Sequence, residues 1–139
     1  MATFTKFNSF VEALAEKAHD LGSDTLKVML TNTAPVATNT QKSDLTEISA
    51  GNGYTAGGTA ATISSSAQTS GTYKLVLADV TITASGGSIG PFRYAVLYND
   101  TATNDELIGF WDYGSSITLA DGEDLTVDYD ASTGVLTLA

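Results

Sequence analysis

Residues 92–114 read FRYAVLYNDTATNDELIGFWDYG, and the two apolar, aromatic-rich runs in this stretch decide the fold. Runs rich in Phe, Tyr, Trp, Val and Ile are typical of β-strands. The polar segment between them, residues 100–106, is short enough to join two antiparallel strands. We therefore predict a central β-hairpin that is apolar on both faces.

The hairpin also contains the only arginine of the chain, Arg93. A trial register that sets Tyr94 opposite Trp111 also sets Arg93 opposite Asp112, on the other face. We predict an ion pair between Arg93 and Asp112 that fixes the strand register. The alternatives for this arginine are a contact with another subunit and a catalytic role.

The composition limits the possible partners. Lys plus Arg is 6 and Asp plus Glu is 16, so the formal net charge is -10. This charge opposes binding to nucleic-acid phosphates and to anionic membranes, and we expect neither as a partner. The chain has no cysteine, which excludes disulfides and thiolate metal sites. We expect neither a secretory signal nor a membrane span.

One segment has helical periodicity. Apolar residues recur on one side of a helix over about residues 9–21, with Ser9 and Glu12 as a capping box and Gly22 as the stop. The only histidine, His19, lies near the end of this helix. We interpret it as a partly solvated residue, with a base or metal ligand as the alternative.

The rest of the chain reads as strands and loops. Long loops are expected over about residues 33–72, with a strand near 60–66, and further strands follow to the C-terminus. We predict a single domain, residues 1–139, that is mainly β: an antiparallel β-sandwich, jelly-roll-like, with one N-terminal α-helix.

No catalytic or cofactor motif stands out. The chain has no Gly-x-Ser-x-Gly elbow, and its Gly-rich segment 51–58 lacks the lysine and the following helix of a phosphate loop. The acidic segment 121–130 is a candidate calcium site, but its spacing does not follow the twelve-residue calcium loop. A solvated strand face is the alternative. We expect no enzymatic activity, no cofactor and no metal.

Four segments carry a resemblance to a known group of proteins. They are KFNSFVEALAEKAHDLGSDTLKVMLTNTAP (6–35), LTEISAGNGYTAGG (45–58), GGSIGPFRYAVLYND (86–100) and LIGFWDYGSSITLADGEDLTVDYD (107–130). With these segments the chain resembles small structural proteins of tailed bacteriophages. The resemblance implies no catalytic residues. It implies a virion protein, made in the host cytoplasm.

The first expectation from this resemblance is a capsid decoration (cement) protein on the capsid exterior. Its partners would be major capsid protein subunits and further copies of itself, with a homotrimer as our guess. We predict Tyr54, Tyr94, Tyr98 and Trp111 as partner-interface residues. A tail, fibre-attachment or head–tail connection component is an alternative. A carbohydrate-binding module that stacks sugars on an exposed Trp111 is another.

Overall fold

The computed structural model describes residues 2–139, and it confirms a mainly β, antiparallel fold with one α-helix. The helix α1 spans Ser9–Ala15, and a short 3-10 helix spans Lys42–Asp44. The strands are β1 (Phe4–Lys6), β2 (Leu26–Thr31), β3 (Thr59–Ala61), β4 (Ile63–Thr69), β5 (Thr72–Leu77), β6 (Val80–Thr83), β7 (Ile89–Asn99), β8 (Leu107–Leu119), β9 (Asp124–Val127) and β10 (Leu136–Leu138).

The predicted central hairpin is formed by β7 and β8, the two longest strands. It lies in the middle of a five-stranded sheet with the order β1-β8-β7-β2-β3. Two smaller sheets, β10-β5-β4 and β6-β9, complete the structure. One hydrophobic core takes side chains from all three sheets, among them Val28, Leu75, Ile82 and Leu97. Sheets that enclose a common core form a sandwich.

The five-stranded sheet is also covered on its other face. A second cluster there contains Phe7, Met29, Val96, Tyr98 and Leu107, and all five side chains are buried. Successive residues of a strand point to opposite faces, so neighbouring positions of β7 enter different clusters. Both apolar faces of the hairpin are therefore covered, because each face packs against other parts of the chain.

The trial register of the hairpin is wrong by one residue in the middle. Tyr94 lies opposite Asp112 and Ala95 lies opposite Trp111. The ladder shifts between Leu97 and its neighbour Tyr98 and again near Phe92, so one straight pairing does not extend through the hairpin. A one-residue shift moves a side chain to the other face of the sheet. Tyr94 and Trp111 consequently lie on opposite faces.

The helix is shorter than the predicted range 9–21. It ends at Ala15 because Lys17 adopts a left-handed backbone, with φ 68°. The amide of Lys17 then donates to the carbonyl of Leu14, and the amide of Ala18 donates to Ala13, which is a Schellman ending. Glycine usually occupies this position, so the lysine gave no stop signal. The predicted capping box at Ser9 is also wrong: Asn8 precedes the helix, without a side-chain cap.

The predicted strand near 60–66 is present as two strands, β3 and β4, which lie in different sheets. They replace the C-terminal part of the predicted loops at 33–72. β3 pairs with β2, and β4 pairs with β5 after an irregularity near Ile63. The Ser-rich composition of β4 does not reveal this pairing, because the partner strand decides it.

Candidate functional site

An apolar depression of the surface lies between the β7–β8 hairpin and β9. It has a volume of about 330 Å³, which is in the range of ligand pockets. We call it the aromatic groove. Its lining residues are Ala2, Phe92, Arg93, Tyr94, Ala95, Trp111, Tyr113, Leu125, Thr126, Val127 and Asp128.

Two of the four predicted interface residues, Tyr94 and Trp111, line this groove. Trp111 is partly buried between Phe4 and Tyr129, with ring centroids at 4.9 Å and 5.4 Å. Tyr94 is nearly buried and packs edge-on against Phe110 on the other face of the sheet. Both neighbours of Trp111 pack on its indole, which is poor geometry for the open platform that sugar stacking requires.

The other two predicted interface residues, Tyr54 and Tyr98, are buried inside their own chain, at 3% and 1% exposure. The Tyr54 hydroxyl donates to Glu47 Oε1 at 2.7 Å and accepts from the Leu30 amide at 3.0 Å. The Tyr98 hydroxyl donates to the carbonyl of Gly57. We therefore correct their assignment: they anchor the loop before β3 to the sheet, because a buried phenol needs hydrogen-bond partners.

The expected ion pair between Arg93 and Asp112 is present at the end of the groove. Arg93 Nε donates to Asp112 Oδ1 at 2.7 Å, and Nη2 donates to Oδ2 at 3.0 Å. The Gly114 amide also donates to Asp112, at 2.8 Å. The hydrogen bonds from Arg93 and then from Gly114 lower the pKa of Asp112. Asp112 lies opposite Tyr94 rather than opposite Arg93, and the pair forms where the ladder shifts between Phe92 and Tyr94.

The strand β9 provides the second wall of the groove through Leu125 and Val127, and neither residue is among the predicted interface residues. The alternation of apolar and polar residues in this segment is a strand signal, but it does not show which strand lies beside it. Pairing of β9 with β6 brings it next to the hairpin. Tyr113, 58% exposed, and the exposed Asp128 complete the groove at the surface.

His19 lies beyond the end of the helix and is 4% exposed, so the prediction of a partly solvated residue is wrong. Its ring packs against Phe10 at a centroid distance of 5.3 Å. Asn99 Nδ2 lies 3.0 Å from Nδ1, and Asn99 Oδ1 accepts two backbone amides of the next loop, so Nδ1 is the acceptor. Burial lowers the pKa of His19, and Glu106 and Asp24 partly oppose this effect.

Some acidic residues of segment 121–130 accept hydrogen bonds from within the chain. Asp121 accepts from the Gly86 amide at 2.9 Å, and Asp130 accepts from the hydroxyl and the amide of Ser132, both at 2.8 Å. The bond from the Ser132 hydroxyl is the main reason that the pKa of Asp130 is lowered. Within residues 2–139, no three His, Cys, Asp or Glu side chains are grouped closely enough to hold a metal ion.

No protein-family model, curated protein or solved structure matches this chain. Of the helices in the described part of the chain, none has the length and hydrophobicity needed to cross a membrane. The geometry of the aromatic groove and the resemblance of the sequence are therefore the grounds for a functional proposal.

Proposed function

We propose that this chain is a structural protein of a tailed-phage virion, and specifically a capsid decoration protein. In this role it binds the outer surface of the major capsid shell and stabilises the head. The proposal is one of binding rather than catalysis. It is supported by the sequence resemblance, and the single structural observation that carries it is the aromatic groove.

The groove suits a partner segment that is both apolar and basic. Phe92, Trp111 and Val127 give it apolar walls. Arg93 is already paired with Asp112, whereas no Lys or Arg within residues 2–139 forms an ion pair with Asp128. We therefore expect an apolar side chain of a shell subunit to enter the groove, with a neighbouring Lys or Arg of that subunit beside Asp128.

Stabilisation of the shell follows from repetition. Each copy adds a modest contact, but shell symmetry repeats that contact at every equivalent position. If one copy also contacts two shell subunits or another copy of itself, its second contact forms at a high effective concentration. The net charge of -10 disfavours nonspecific association between copies in solution. Specific contacts therefore determine how the copies are arranged on the shell.

Titration of the purified protein onto phage heads assembled without it tests the proposal. Tyr113→Ala and Asp128→Lys should each weaken co-sedimentation with heads by about tenfold, because both residues lie at the groove surface. Val36→Ala is the matched control, since Val36 is 54% exposed and lies outside the groove. Equal binding by the wild type and both groove variants would refute the groove as the contact.

Copy number on purified virions separates the alternatives within the same setting. On the order of hundreds of copies over the head support decoration. About six or twelve copies at a vertex or on the tail would instead support the tail, fibre-attachment or head–tail connection alternative. Cryo-electron microscopy of virions gives this number directly.

A further inference from the structure

The strand β4 is an unusually long edge. It is the outer strand of the sheet β10-β5-β4 and has 7 residues, whereas the edge strands β1, β3 and β10 have 3 each. Unpaired edges are a template for pairing with another chain, so proteins usually keep them short or place Lys or Pro in them. β4 reads ISSSAQT and contains neither.

The outer side of β4 has free backbone groups. The β4–β5 hairpin closes with a two-residue turn, Ser70 and Gly71, both with positive φ, so the flanking pair is Thr69 with Thr72. Pairs alternate along an antiparallel ladder, which directs the backbone N–H and C=O of Ser66 and Gln68 outward. Within residues 2–139, β4 is paired with β5 alone.

The charge distribution favours a second copy of this chain as the occupant. Residues 49–73 contain no Asp, Glu, Lys or Arg, although the chain has a net charge of -10. Two copies repel each other over most of their surface, but not along β4, beside which β5 carries one charge, Lys74 opposite Ala67. Ser65 and Ala67 are small and exposed, so a second backbone has room to approach.

We propose that two copies of the chain associate through β4, as antiparallel strands about a twofold axis at Ala67. Ser66 of one copy then lies opposite Gln68 of the other, and the two residues exchange backbone hydrogen bonds on each side of the axis. The two three-stranded sheets become one continuous sheet. This inference does not rest on the aromatic groove or on the proposed attachment to a shell.

Sedimentation velocity over a concentration series of the purified chain tests this pairing. The axis sets Ala67 against its own copy, and Lys74 of the same chain lies opposite Ala67. A67K alone should therefore weaken dimerisation by about tenfold, and A67E alone should weaken it by less. An equimolar mixture of A67K and A67E should restore it, because opposite charges then face each other. Thr72→Lys is the control: it adds a charge to the same hairpin, but on β5.

Dimerisation of the wild type, with loss in both single variants and recovery in the mixture, supports the proposal. A wild type that stays monomeric up to about 1 mM overturns it. Association that A67K and A67E leave unchanged, or a closed trimer, also overturns it. If a variant does not fold, hydrogen exchange of the wild type decides: the amides of Ser66 and Gln68 should become more protected at high concentration. These measurements use the chain alone, so they leave the shell proposal untouched.

Discussion

Removal of the Tyr54 hydroxyl tests whether this group anchors the loop before β3 to the sheet. The hydroxyl accepts from the buried Leu30 amide and donates to Glu47, and Glu47 also accepts from the Gly57 amide at 2.7 Å and pairs with Lys42 at 3.3 Å. Tyr54→Phe keeps the ring but leaves the Leu30 N–H without a partner. An unsatisfied buried group costs about 1–3 kcal/mol, and a bond to a carboxylate adds to this, so we expect a loss of about 2–3 kcal/mol.

Chemical and thermal unfolding measure this loss. For a chain of 139 residues, a loss of about 2–3 kcal/mol lowers Tm by about 7–10 °C. Tyr113→Phe is the matched control, because Tyr113 is 58% exposed, and its Tm should change by less than about 2 °C. Tyr54→Phe combined with Glu47→Gln should lose less than the sum of the two single losses. A Tyr54→Phe protein within about 0.5 kcal/mol of the wild type would refute the anchoring role.

Three further predictions concern single positions. Burial lowers the folded pKa of His19 below its ordinary value of 6.5, so the unfolded state binds more protons at low pH. The contribution of His19 to stability is therefore full above about pH 6.5 and falls at lower pH. Urea unfolding between about pH 4.5 and 7.5 should show this slope, and His19→Gln should lose it. Gly58→Ala should cost about 3 kcal/mol or more in urea unfolding, because its φ is +83° and a Cβ would lie 1.9 Å from the Val28 carbonyl. Gly71→Ala is its control, with φ +84° and open space, and should cost only about 1 kcal/mol. Lys17→Gly should raise stability by about 0.5 kcal/mol, measured as a higher Tm, because it relieves the left-handed φ of 68°; a lower Tm would contradict this account of the helix end.

The sequence by itself determined the elements that depend on local pattern. The aromatic and β-branched runs of residues 92–114 specify a hairpin, because such side chains favour a pleated strand and polar residues separate the runs. The Arg93–Asp112 pair was also predictable, although the register was not. The ladder shifts between Phe92 and Tyr94, so Arg93 has no direct partner in it, and its long side chain still reaches Asp112.

Only the tertiary structure decided what depends on partners distant in the chain. From sequence, Tyr54 and Tyr98 were predicted as interface residues. In the structure their hydroxyls bond within the chain, to Glu47, Leu30 and Gly57. The second wall of the aromatic groove likewise exists only because β9 pairs with β6 beside the hairpin. Local sequence sets the preference of a segment for strand or helix, whereas burial and pairing are set by what folds against it.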